Sequence, residues 1–196
     1  ESTFAAGRVA ALEEEDRRYL GSGLSVIHKW TEPIAVAVAG GGTLGDLREV
    51  RDIAAELDHL PPFKVSVVSE SREANLLIRF VPRDRFIGQG PNGRDRGLGF
   101  MALRNGGPVL LGAAIFVDSG QSPAFRRVIL RHEFMHALGF PVHTLWERDS
   151  TLFVGPEDGV NYPDEFVPID EAIIRILYDS RIEPGMTLDQ IEELGL

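Results

Sequence analysis

The chain has 196 residues, 43% hydrophobic and 26% charged, with a formal net charge of −10 and no cysteine. This length and balance suit one globular domain with its own core rather than a disordered or fibrous chain. The acidic balance excludes nucleic acid as a partner and disfavours anionic membranes. The absent cysteines exclude disulfides, thiolate zinc sites and thiol catalysis, and no apolar run approaches the ~18 residues that would insert into a membrane.

Residues 5–20 read as an exposed helix whose run Glu13-Glu14-Glu15-Asp16-Arg17-Arg18 is a solvated face, ended by Gly21-Ser22-Gly23. The β-branched, apolar run 34–39 predicts a strand. Thr43 opens a helix to Leu60, with Asp46 as its capping-box partner and Leu47, Val50, Ile53, Ala54 and Leu57 at helical spacing. Pro61-Pro62 stops it. Two more strands follow at 65–68 and 76–81, then a Gly/Arg/Asp-rich loop at 84–97. Strands at 98–103 and 109–117 flank an Asn105-Gly106-Gly107 turn. Ser122 and Pro123 start a helix that carries Val128, Ile129, His132, Met135, His136 and Leu138 until Gly139 and Pro141 end it. Residues 142–168 are irregular. Asp170 caps a helix with Ile173, Ile174, Ile176 and Leu177 on its apolar side. Thr187 and Gln190 cap a last short helix with Leu188 and Ile191 facing inward.

The run Arg131-His132-Glu133-Phe134-Met135-His136-Ala137-Leu138-Gly139-Phe140-Pro141-Val142-His143 carries the chemistry. Residues i and i+4 share one helix face, so His132 and His136 can present two imidazoles to one Zn²⁺. Glu133 sits where a general base acts on a metal-bound water. A hydrolytic zinc takes three protein ligands and keeps one position open. The third must come from beyond the helix, because one helix face cannot wrap an ion. Gly139 can turn the chain without a Cβ penalty and bring His143 back to the metal. Glu147, Asp149 and Glu171 are rivals for that third place. Tyr162 and Tyr178 are candidates to stabilise an oxyanion or, more simply, to pack.

At His132, Glu133, His136 and Gly139 the chain resembles the metzincin zinc peptidases, whose signature is His-Glu-x-x-His-x-x-Gly-x-x-His. The family's third histidine falls on Val142, and this chain places His143 one residue later. The family also sets a methionine in a turn under the metal. No methionine lies in Asp149-Ser150-Thr151-Leu152-Phe153, where Leu152 or Phe153 can supply the apolar floor, and Met186 is the alternative. The segments Ile169-Asp170, Leu177-Tyr178-Asp179 and Pro184-Gly185-Met186 look similar to a little-characterised bacterial family of secreted, metzincin-like proteins.

The resemblance implies an α+β, zincin-like single domain over 1–196. A mixed twisted sheet carries backing and active-site helices above a cleft, with a small loop-rich C-terminal lobe built on one main helix. Its parts are a helical extension (1–23), an upper αβ lobe (24–139) and a lower lobe (140–196). It further implies a zinc metalloendopeptidase, with His132, His136 and His143 on zinc and Glu133 as catalytic base. The substrate would be a peptide or protein, and the location secreted or periplasmic. The strand 112–117 would line the cleft and pair with substrate along a free edge.

Two readings compete. Gly40-Gly41-Gly42-Thr43-Leu44-Gly45 matches G-x-G-x-x-G between a strand and a helix, with Glu70 placed for a ribose. The missing crossover helix before 76–81 and the ordinary Thr43–Asp46 helix start count against this nucleotide site. The second is a non-catalytic protein-binding module on the same scaffold. Glu157, Asp158, Asn161, Asp164 and Glu165 form an acidic loop that lacks an EF-hand spacing and reads as solvated. His28 and His59 read as polar surface residues.

Overall fold

Alternating apolar residues in three strands build the centre of the sheet. In β2 (Ile34–Val38), β4 (Leu76–Val81) and β6 (Val109–Asp118), the residues Ile34, Val36, Leu76, Ile78, Phe80, Ile115 and Val117 are buried, while Ala35, Leu77 and Phe116 on the opposite face are only partly so. A computed structural model of the chain describes residues 26–60, 64–85, 99–144, 147–153 and 163–195, with the backbone alone over 99–106. The expected helix at 5–20, most of the 84–97 loop, Tyr162 and positions 157, 158 and 161 of the acidic loop lie outside the described residues.

Among the described residues the sheet has six strands. β1 (Lys29–Trp30), β2, β3 (Val65–Val67), β4 and β6 run parallel, and β5 (Gly99–Gly106) runs antiparallel to β6. The expected α+β class therefore holds. β5 follows β6 along its whole length, so β1 and β4 share the other side of β6 end to end. This corrects the expectation that 112–117 has a free edge: among the described residues β6 is interior and β5 is the outer strand. At the β5–β6 register shift, Arg104 faces Gly112 and Asn105 faces Leu110, which leaves Leu111 as the extra residue of a bulge. The bulge inverts the alternation, so Leu110 is 2% exposed and Leu111 is 46% exposed.

β3 and β4 are both parallel to β2, although only a 3₁₀ turn (Ser71–Glu73) lies between them. β3 ends opposite Val36 on one side of β2, and β4 begins opposite Val36 on the other. The chain crosses β2 once and never travels back, so no crossover helix is needed. The absence of that helix is thus no argument against a nucleotide fold; the glycines themselves are. Gly41 has φ +76°, and a Cβ there would lie 1.8 Å from the Phe80 carbonyl oxygen; one on Gly42 would lie 2.9 Å from the Phe80 ring. Gly41 and Gly42 are small because they pack on β4, whereas Gly40 has open space around it and a φ of +130° that favours glycine.

Two helices lie side by side on one face of the sheet, α1 (Leu44–Asp58) against β3 and α2 (Pro123–Ala137) against β5 and β6. The expected caps are present. The Asp46 amide donates to Thr43 Oγ1 (3.2 Å), the Thr43 amide donates to Asp46 Oδ2 (2.8 Å), and Phe125 N–H donates to Ser122 Oγ (3.2 Å). The helix seam is charged, which periodicity did not foresee. Arg126 grips Asp46 through two bonds of 2.8 and 3.1 Å, Arg131 pairs with Glu49 and Glu56, and Arg127 reaches Glu49 at 3.0 Å. Asp46, Glu49, Arg126 and Arg131 are all buried. Removing one partner of such a pair strands a buried charge and costs about 3–5 kcal/mol. The two-point grip fixes the rotation of α2, the helix that bears His132 and His136.

After α2 the chain reaches α3 (Pro168–Leu177) and a short α4 (Leu188–Glu192). Asp170 is not the N-cap of α3. Val167 is, and Asp170 stands three residues on, accepting from the Val167 amide at 3.2 Å. In α4 the Thr187–Gln190 capping box holds, but Leu188 is 70% exposed and does not face inward. The end of α3 is tied to the end of α2. Tyr178 donates its hydroxyl to the Leu138 carbonyl (2.7 Å), and Trp30 Nε1 donates to the Ala137 carbonyl (2.8 Å). The buried Lys29 ammonium donates to the Leu177 and Ile182 carbonyls at 3.1 and 2.5 Å. Burial lowers the Lys29 pKa against the opposing pull of Asp179 and Glu183.

Candidate metal centre

His132 and His136 project from one face of α2, as the four-residue spacing requires. Past Ala137 the helix closes with Leu138 as its cap, and Gly139 reverses the chain at φ +113°. A Cβ on Gly139 would lie 2.2 Å from the His28 carbonyl oxygen, so the turn needs glycine for space as well as conformation. His28 itself is half-buried here rather than a free surface residue, whereas His59 is exposed as expected.

The turn brings His143 to the other two histidines. The Nε2 atoms are 3.1 Å apart between His132 and His136, 3.0 Å between His132 and His143, and 3.1 Å between His136 and His143. The extra residue before His143 is absorbed within 140–142 and does not displace the imidazole from the cluster. Among the described residues these three form the one group of at least three ligating side chains close enough to hold a metal ion. Of the rivals, Glu171 lies beside Arg175 at 3.8 Å, and Glu147 and Asp149 are exposed and outside the cluster. Tyr178 is a packing residue, buried on Leu138, and burial raises its pKa.

The donor chemistry fits a divalent ion. His132 Nδ1 is 2.7 Å from the Thr151 carbonyl, and His136 Nδ1 is 2.6 Å from the Phe140 carbonyl. A carbonyl accepts only, so each Nδ1 carries the proton and each Nε2 presents a lone pair to the cluster. Lone pairs facing one another at this range repel unless a cation lies among them. Two nitrogens bound to zinc at ~2.05 Å with tetrahedral angles stand ~3.3 Å apart, close to the spacings found. Burial, then the neighbouring histidines, holds His136 down at about 3 and His143 at about 4. Burial lowers His132 too, against the opposing Thr151 bond. All three are therefore neutral near pH 7, the form that binds a metal. His136 is buried, His132 is intermediate and His143 is exposed, so the cluster is reached from solvent on the His143 side.

Glu133 follows His132 on α2 and is 6% exposed. The turn at 150–153, where the metzincin pattern would set its methionine, lies against the cluster through the Thr151 carbonyl, and Leu152 and Phe153 are buried in it. Met186 is elsewhere: its sulfur accepts from the Glu183 amide and its carbonyl from the Ile27 amide.

The family described as "Protein of unknown function (DUF2927)" matches residues 9–194. The chain belongs to that family. Among curated proteins none matches this DUF2927 member significantly. Its fold is similar to the crystal structure of myroilysin, with a TM-score of 0.51 and 16% identity over 81% of this chain and 86% of that one. A second structure of myroilysin aligns with a TM-score of 0.46 and 14% identity over 78% and 82% of the two chains. No helix among the described residues is long and apolar enough to cross a membrane.

Proposed function

We propose that this protein is a zinc-dependent endopeptidase whose metal ligands are His132, His136 and His143 and whose general base is Glu133. The observation that carries the reading is the convergence of three neutral imidazole Nε2 atoms within 3.0–3.1 Å of one another, two from one helix and one delivered by a glycine turn. The sequence resemblance to metzincin peptidases supplies the reaction. Zinc bound there acts as a Lewis acid and lowers the pKa of water towards neutrality. Glu133 takes the proton of the attacking water and returns it to the leaving amine. The Thr151 and Phe140 carbonyls hold His132 and His136 in the tautomer that binds metal. β5, the antiparallel outer strand beside β6, is the edge on which an extended peptide would add as a further strand. The same resemblance points to a secreted or periplasmic protein.

Metal analysis combined with a peptide-library digest tests this. Stoichiometric zinc, with cleavage by wild type that Glu133→Ala abolishes, supports it. Stoichiometric zinc with no peptide cleaved by wild type would replace it with a binding module on the same scaffold. Carefully purified protein without zinc would overturn both.

A further inference from the structure

Asp170, in the first turn of α3, is fully buried, with 0% exposure. Its carboxylate accepts from Ser150 Oγ at 2.6 Å, from the Thr151 amide at 3.2 and 3.1 Å, and from the Val167 amide at 3.2 Å. Capping α3 needs only the last of these; the others grip a turn 19 and 20 residues upstream. That turn has two outlets. The Thr151 carbonyl accepts the His132 Nδ1 proton at 2.7 Å, and the Leu152 carbonyl accepts the Thr144 amide, next to His143, at 3.0 Å. Ser150 Oγ also accepts from the Leu152 amide at 3.1 Å, which stiffens the turn between the two outlets.

We infer that Asp170 is a positioning residue for the metal centre: by clamping 150–152 it fixes the orientation of His132 and the approach of His143. The inference rests on the zinc reading above. A single buried carboxylate, on a helix that contributes no ligand, thereby supports two of the three imidazoles. Groups that orient metal-binding histidines from behind typically change metal affinity about 10- to 100-fold when removed.

The test measures zinc affinity of the full chain by chelator competition. In parallel, ¹H–¹⁵N NMR of the metal-free protein follows the His132 Nδ1 proton. Asp170→Asn keeps the shape but replaces one acceptor oxygen with a donor. It should weaken zinc binding about 10- to 100-fold and expose the His132 Nδ1 proton to rapid solvent exchange. Leu57→Ala opens a cavity in the core and touches none of these hydrogen bonds, so it should lose stability and keep zinc affinity within about twofold. An Asp170→Asn affinity within twofold of wild type, or lowered no more than in Leu57→Ala, overturns the inference. Should Asp170→Asn fail to fold, Ser150→Ala removes one bond of the clamp and should weaken zinc about 3- to 10-fold; wild-type affinity there also overturns it. If wild type itself binds no zinc, the metal reading fails, and the Nδ1 proton decides alone: protection unchanged in the variants refutes the positioning role.

Discussion

Replacing Gly139 by alanine tests the turn that delivers His143. At φ +113° an L residue is strained, which costs about 1–3 kcal/mol. The new Cβ would also stand 2.2 Å from the His28 carbonyl oxygen. Relieving that contact means moving backbone next to Lys29, whose ammonium is held by the Leu177 and Ile182 carbonyls at the end of α3 and just beyond it. Forced overpacking of this kind adds about 1–3 kcal/mol. The sum, ~2–6 kcal/mol, corresponds to a fall in Tm of roughly 5–20 °C for a chain of this size. Gly107→Ala is the internal control: φ is +67° and nothing lies within 4 Å of its Cβ, so backbone strain alone applies, about 1–2 kcal/mol. Thermal melts followed by circular dichroism, with zinc content measured on the same samples, compare the two. Gly139→Ala should melt well below Gly107→Ala and lose zinc, while Gly107→Ala keeps it. Equal melting of the two variants with full zinc in both would refute the steric argument for the turn.

His143→Ala should weaken zinc retention at least about 100-fold, whereas Asp149→Ala and Glu171→Ala leave it unchanged; dialysis against a chelator reads this directly. At a free zinc concentration of about 100 Kd the ion should add ~2.7 kcal/mol of stability, so chelation should lower the Tm by roughly 5–10 °C. Arg126→Met leaves Asp46 buried without its guanidinium and should cost about 3–5 kcal/mol in urea unfolding. The double variant with Asp46→Leu should recover most of it. Acid should unfold the protein through its paired carboxylates. Burial alone would raise Asp46 and Asp118, but bonds from Arg126 and Thr43, and from Gln121 and Gly120, outweigh it and leave both pKa values below the usual 3.8. Their contribution is present above that value and is lost as pH falls through the lowered folded values. Unfolding free energy should therefore decline below about pH 4, with a shallower slope in Asp46→Asn.

Local chemistry was legible along the chain because it is written in side chains at short range. Thr43 with Asp46, Ser122 with Pro123, and Thr187 with Gln190 each announce a helix start, and each helix begins there. The four-residue spacing of His132 and His136 and the glycine that follows are likewise local signals. Asp170 was legible as a cap but misplaced by three residues, and its grip on Ser150 and Thr151 had no sequence sign. The carbonyls of Thr151 and Phe140 carry none either, since every residue has one. Reading 112–117 as an edge failed for a related reason: strand type is local, but neighbours in a sheet are set by chain crossings that composition does not record.

Two imidazoles on one helix face, a glycine where the chain must turn and the absence of any cysteine chemistry follow from the amino-acid order alone. Helical geometry and covalent order suffice for those statements. That His143, rather than Glu147, Asp149 or Glu171, stands beside the pair follows only from the fold, because it depends on how Gly139 turns residues 140–143 back towards α2. The fold also decided that Asp46, Glu49, Arg126 and Arg131 are an internal seam instead of a wet surface. A charged residue's worth depends on what lies across from it, and that partner stands about 80 residues away in the chain.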